Sequence, residues 1–177
     1  MDAITIRELI AYDPETGVLT WLERGPKWFA EGWDSYGWNK RYAGKPALHA
    51  KNKSGYGTGM VLSERYLSHR VAWLHFYGCW PKGQIDHLNH DRADNRIHNI
   101  RDVAAVDNCR NSTRRRDNAS GASGVSWHKA TGKWIANIRH AGKQKHLGIF
   151  DNFGEACAVR KRAEYSYGYH QNHGNEG

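Results

Sequence analysis

Gln84-Ile85-Asp86-His87-Leu88-Asn89-His90-Asp91-Arg92-Ala93-Asp94-Asn95-Arg96-Ile97-His98-Asn99-Ile100-Arg101 is the stretch on which the reading of this chain turns. It concentrates Asp, His and Asn at a density that an ordinary surface loop does not need. Gln84-Ile85-Asp86 reads as a short strand and Ile100-Arg101-Asp102-Val103 as a second, with the polar block as the loop between them. A helix over about residues 104–113 would complete a strand, loop, strand, helix unit, and it would carry Asn108 and Asn111.

The residue types in this block suit phosphodiester hydrolysis. The Asp86 carboxylate is a hard oxygen donor for Mg²⁺ or Mn²⁺, and the Asn108 amide could add a neutral oxygen ligand. A neutral His87 near pH 7 could take the proton of an attacking water, a task worth roughly 10²- to 10⁴-fold in rate. Successive strand residues point to opposite faces, so Asp86 and His87 converge only if the strand ends or twists there; the turn-rich Leu88-Asn89-His90-Asp91 supplies that break. Asn99 is placed to bond loop backbone groups and hold the two strands together, and Asp91, Asp94 and Asn95 to shape the turn.

Outward from this block, composition narrows the class. The 177 residues fit one ordinary domain or two small ones, and the 39% apolar and 12% aromatic content, with eight Trp and nine Tyr, suits several small cores built around aromatics. Mean hydropathy is −0.83. No apolar run is long enough for a membrane span, and Met1-Asp2-Ala3-Ile4-Thr5 lacks the features of a secretory signal, so a cytoplasmic, non-secreted protein without a membrane partner is expected. Cys79, Cys109 and Cys157 have neither disulfide-framework nor zinc-finger spacing. Net charge is +8 and unevenly placed: residues 1–108 carry 14 basic against 13 acidic side chains, and residues 109–177 carry 12 against 5. A basic last third beside a nearly neutral centre suggests that the former holds a polyanion on which the latter acts.

Upstream, Ile4 to Tyr12 predicts a short amphipathic helix with Ile6, Leu9 and Ile10 inward, then a turn at Asp13-Pro14-Glu15-Thr16-Gly17 and a strand at Val18-Leu19-Thr20-Trp21. Residues 25–60 read as irregular strands or loop with no assignable chemistry. Ser68 to Gly78 predicts a helix with Ser68 as N-cap and Gly78 as stop. Downstream, Arg114-Arg115-Arg116 opens a basic, small-residue linker that could track a phosphate backbone. Strands at Val125–His128, Trp134–Arg139 and Lys145–Phe150, separated by glycine turns, precede a helix from Phe153 to Tyr165. On the middle strand, alternation puts Lys133, Ile135, Asn137 and Arg139 on one face and Trp134, Ala136 and Ile138 on the other.

From Trp80 to Asn111 the chain resembles the HNH homing endonucleases of phages and mobile introns, which share Trp-Pro-x-Gly-x-Ile-Asp-His, Asp-Asn-Arg and the later Asn residues. Tyr12 to Gly17 and His69-Arg70-Val71-Ala72-Trp73 are also similar to the N-terminal part of such phage proteins. The resemblance implies a ββα-metal unit with one divalent ion, His87 as general base, Asp86 and Asn108 on the metal, and Asn99 as the central Asn that organises the loop. His69, His90 and Asn111 are further candidates to support these groups or touch the phosphate. Two positions depart from the pattern: His90 stands where Gly is usual, and Ala104 where a Thr caps the helix, a cap that Asp102 could supply instead.

Residues 120–168 are similar to the ethylene-response-factor-type (ERF-like) DNA-binding domain, through Ser123-Gly124-Val125, Gly132 to Arg139, Leu147 to Phe150 and Glu155-Ala156. That family lays its sheet in the major groove, and the resemblance implies contacts from Trp127, Lys133, Trp134, Asn137, Arg139, Lys143 and Lys145. Ser126 stands where the plant domains commonly have Arg.

The expected chain is α+β: an N-terminal helix and strand region (1–60), a nuclease core (61–113), a basic linker (114–122), a three-stranded antiparallel sheet packed on one helix (123–170) and a tail (171–177). The expected function is a site-selective, homing-type endonuclease on double-stranded DNA with Mg²⁺ or Mn²⁺ and no protein partner. A DNA-binding regulator with a non-cleaving HNH scaffold is the alternative. An RNA-directed nuclease is disfavoured by the absence of RNA-binding signatures.

Overall fold

The computed structural model describes residues 1–104, 108, 111, 112, 114 and 117–175. Two compact units part between Ala104 and Ala105.

The first unit starts with α1 (Ala3–Leu9), whose N-cap Asp2 accepts from the Thr5 N–H at 2.8 Å. The expected helix through Tyr12 stops short, because Ile10–Tyr12 forms β1 and pairs antiparallel with β2 (Leu19–Trp21). The Asp13–Gly17 turn dictates this: the Gly17 N–H donates to Asp13 O at 2.8 Å with Gly17 at φ 75°, and a tight hairpin requires extended chain on both sides.

Residues 25–60 are more regular than their composition suggests. A 3₁₀ turn at Pro26–Trp28 precedes α2 (Ser35–Tyr42), and β3 (Ala50–Lys51), β4 (Gly57–Val61) and β5 (Glu64–Leu67) form a meander in that order. The helix α2 has no buried residue, so no apolar stripe betrays it; Asp34 starts it by accepting from the Tyr36 N–H.

Next, α3 (Ser68–Tyr77) ends at Gly78 in the left-handed region, φ 75°. Its start differs from expectation: Leu67 is the N-cap, and the Ser68 hydroxyl donates across to Leu48 O at 2.6 Å, tying the helix to the preceding loop. Ile6, Leu9, Ile10, Leu19, Val61, Val71 and Leu74 share one core, so the division expected at residues 60 and 61 runs through continuous packing.

On this base sits the hairpin of β6 (Gln84–His87) and β7 (Ile100–Val103), with Asp86 opposite Arg101 and His87 opposite Ile100. Ala72, Ile85 and Ile100 pack beneath it. The Asp102 carboxylate accepts from the Lys82 and Gly83 N–H groups, both at 2.7 Å, and closes the approach turn. The expected helix over 104–113 lies mostly outside the described residues.

The second unit is the antiparallel sheet of β8 (Val125–His128), β9 (Lys133–His140) and β10 (Lys143–Phe150), with β9 in the middle, and α4 (Phe153–Ser166) against it. Ala141 and Gly142, at φ 49° and 76°, make the two-residue turn between β9 and β10. Val125, Ala136 and Ala156 form the core with Trp134, Leu147 and Phe150. Among the described residues, no helix is long and apolar enough to cross a membrane.

Candidate active site

Asp86 and His87 are the last two residues of β6, only 5% and 4% exposed. Arg101, opposite Asp86 in register, puts two guanidinium N–H groups on Asp86 Oδ2, at 2.7 and 2.9 Å. Both land on one oxygen, so Arg101 does not hold Oδ1. Where the strand ends, the His87 ring meets Tyr56 at 5.8 Å and His69 at 5.3 Å between centroids. Its Nε2 lies 3.3 Å from Asn95 Oδ1. An amide oxygen only accepts, so this contact places the proton on Nε2 and makes Nδ1 the basic nitrogen. Burial pushes the His87 pKa below the ordinary imidazole value, against the pull of Asn95 and of Asp86, Asp94 and Asp91. The ring is therefore neutral at pH 7 and able to accept a proton.

The loop between the strands is held from inside. Asn99 Oδ1 accepts from the Asn89 N–H at 3.1 Å, and Asn99 Nδ2 donates to Asn89 Oδ1 at 3.0 Å and Asp94 O at 2.8 Å. Asp94 accepts from Asn89 Nδ2 at 2.7 Å and forms an ion pair with Arg96, whose side-chain hydrogen bond keeps the carboxyl at about 2. Asp91 closes its own turn by accepting from the Ala93 N–H. The N-terminal hairpin braces the same loop: Tyr12 Oη donates to Asn95 O at 2.7 Å and the Ile97 N–H to Pro14 O at 3.0 Å. At Gly17 a Cβ would stand 2.5 Å from Arg96 N, so this close approach requires glycine.

Three other candidates take distinct places. His69, on α3, is 5% exposed and stacks edge-on against His87 and Tyr56; burial drives its pKa to about 3 and its Nδ1 has no hydrogen-bond partner. His90 adopts φ 66°, so it enters the left-handed region itself, and its N–H donates to His87 O at 3.1 Å. Asn108 is helical and half-buried, and Asn111 is buried with its N–H on Asn108 O. Both Asn residues belong to the second unit. Tyr56 and its contact with His87 had no signal in the sequence, since Tyr56 stands alone in a glycine-rich stretch. Among the described residues no three His, Cys, Asp or Glu side chains gather as a metal cluster. Asp86 nonetheless fits a hard divalent ion as a buried carboxylate with an oxygen that Arg101 leaves to other partners.

The second unit sorts its expected DNA contacts by face. Ala136 and Ile138 are buried on the α4 side, and Trp134 packs there against Phe153 at 4.6 Å. Trp127, opposite Trp134 in register, sits edge-on to it at 5.1 Å and is 49% exposed. Both Trp residues, expected among the contacts, thus share the face that bears Ala136 and Ile138, Trp134 packed against α4 and Trp127 half exposed. Lys145 likewise turns to α4, with Nζ 4.8 Å over the Tyr167 ring. The opposite face carries Lys133, Ile135, Asn137 and Arg139, with Gln144, His146 and Ile149 beside them on β10. Lys133 pairs with Asp151 at 3.0 Å, and Asn137 Oδ1 meets His146 Nδ1 at 3.3 Å. Lys143 is exposed beside the tight turn. Arg114 donates to Gly121 O at 2.6 Å, while Arg115 and Arg116 lie outside the described residues.

Residues 66–110 match the HNH endonuclease family. Over 80 residues the chain is 31% identical to Protein 3.8 of Escherichia phage T7, an alignment covering 45% of this chain and 66% of that protein. No solved structure matches the chain.

Proposed function

We propose that the chain is a site-selective DNA endonuclease of the homing type, acting on double-stranded DNA in a phage-infected host cell. The carrying observation is the buried Asp86-His87 pair at the end of β6, with a neutral imidazole oriented by Asn95, inside residues that match an HNH family. His87 Nδ1 takes the proton of the attacking water. Asn99 acts as a positioning residue that holds the loop presenting His87. Asp86 would hold Mg²⁺ or a similar divalent ion, which would polarise the phosphoryl oxygen and stabilise the leaving oxygen. The Arg139 face of the β8–β9–β10 sheet, ERF-like in its three strands and helix, binds the duplex and sets where cutting falls.

The test is nicking of supercoiled DNA by the purified chain with Mg²⁺, compared with His87→Ala. Loss of cutting with retained binding supports the reading, and equal cutting by both sinks the base. A second reading, a DNA-binding regulator, draws on the Arg101 guanidinium seated on Asp86. Binding without cleavage under Mg²⁺, Mn²⁺ and Ni²⁺ would favour it.

A further inference from the structure

We propose that an aromatic cleft in the first unit, outside the hydrolytic site, is a binding site for an unpaired nucleotide. The cleft measures about 780 Å³ and is lined by Trp21, Trp28, Phe29, Trp33, Trp38 and Tyr42, with Arg24, Arg41 and Asp34 among its polar groups. Its decisive feature is Arg24. This residue is 8% exposed, and its guanidinium lies 4.8 Å from the Trp21 ring and 3.9 Å from the Trp38 ring. Among the described residues no carboxylate pairs with it, and its Nε is buried without a hydrogen-bond partner. Asn39 meanwhile brackets its backbone, accepting from Arg24 N at 2.8 Å and donating to Arg24 O at 3.0 Å, which fixes the stem of the side chain.

A buried guanidinium normally has a carboxylate or several carbonyl oxygens around it, because removing it from water is costly. Two indole faces offset that cost only in part. Burial without a countercharge lowers the affinity of Arg24 for its proton, which agrees with a cation awaiting an anion. Asp34, the acid at the cleft, turns its Oδ1 to the N–H of Tyr36. The missing partner is thus an anionic group that enters with a ligand. The other walls call for a flat apolar group: Trp33 is 75% exposed and has no ring partner among the described residues, while Trp28, Phe29 and Tyr42 are half-buried or exposed. A phosphate joined to a nucleobase satisfies both demands, and only an unpaired base offers its π-face to such a wall. An apolar peptide would leave Arg24 uncompensated.

The experiment is fluorescence titration of the full chain with thymidine monophosphate and with oligothymidylate, in chelator so that no strand is cut. Saturable quenching of the cleft tryptophans is expected with both probes. Tighter binding of the oligonucleotide assigns a strand as the source of the nucleotide, and equal binding assigns a free nucleotide. Trp33→Ala and Arg24→Gln should each weaken binding by about tenfold while a blunt duplex binds as before. Because Arg24→Gln can disturb folding, Trp33→Ala, at a side chain that is 75% exposed, decides if that variant unfolds. Wild-type affinity for oligothymidylate in Trp33→Ala would overturn the proposal, as would thymidine binding as tightly as its monophosphate.

Discussion

The loop of residues 88–99 and the sheet of β8, β9 and β10 both carry candidate chemistry, but they hold it in opposite ways. In the loop, polar side chains are buried and committed to one another: Asn99 to Asn89 and Asp94, His87 to Asn95. In the sheet, backbone pairing supplies the frame, so period-two alternation separates a core face bearing Trp134, Ala136 and Ile138 from an open one bearing Asn137 and Arg139. Folding and function are therefore entangled in the first region and separable in the second. Substitutions should test that contrast directly.

The largest effect belongs to His87→Ala, expected to lower the cleavage rate by roughly 10²- to 10⁴-fold with duplex affinity nearly unchanged, read by plasmid nicking beside a gel-shift titration. Acidification comes next. Folded His69 titrates at about 3 against 6.5 for the free side chain, so the native state binds fewer protons. Its contribution to stability is complete above pH 6.5 and is lost as pH falls from 6.5 towards 3; His87, also lowered, adds in the same direction. The loss should be on the order of 3 kcal/mol in urea unfolding of the first unit, and His69→Phe should flatten the pH profile. A profile unchanged by that substitution would show that His69 does not carry it.

Asn99→Ala should cost about 2–3 kcal/mol, since it strips hydrogen bonds from buried partners, and should lower cleavage with it. In the sheet the two quantities should part company. Trp134→Ala should cost about 2 kcal/mol of stability by opening a cavity under α4. Arg139→Ala should leave unfolding unchanged and reduce the salt slope of duplex binding by about one phosphate contact. Coupled losses of stability and binding at Arg139 would break the comparison. The smallest effect is expected at His90→Gly, which relieves the positive φ and should stabilise the loop by under about 1 kcal/mol, visible as a shifted urea midpoint.

Periodicity and turn chemistry made much of this architecture legible. The Asp13–Gly17 turn, the stop at Gly78, the β6–β7 hairpin and the three C-terminal strands all announce themselves through glycines or alternation. Elements lacking such signals escaped: α2 buries nothing, and β5 runs into α3 without a turn residue. Side-chain commitments across long separations were equally invisible. Nothing local to Asp102 points to the turn at Lys82 and Gly83, and nothing local to Ser68 points to Leu48. Alternation did separate the two faces of β9, yet only the position of α4 decides which of them is covered, and Trp134 lies on the covered one.

The close approach at Gly17 bears on engineering. With Arg96 N only 2.5 Å from where a Cβ would stand, and with Tyr12 and Pro14 bonded to the same loop, the hairpin before residue 18 acts as a mould for the loop that presents His87. Residues 66–110 are therefore not a portable cassette. A transplant onto another carrier would have to bring residues 12–17 along, or rebuild their imprint on the recipient.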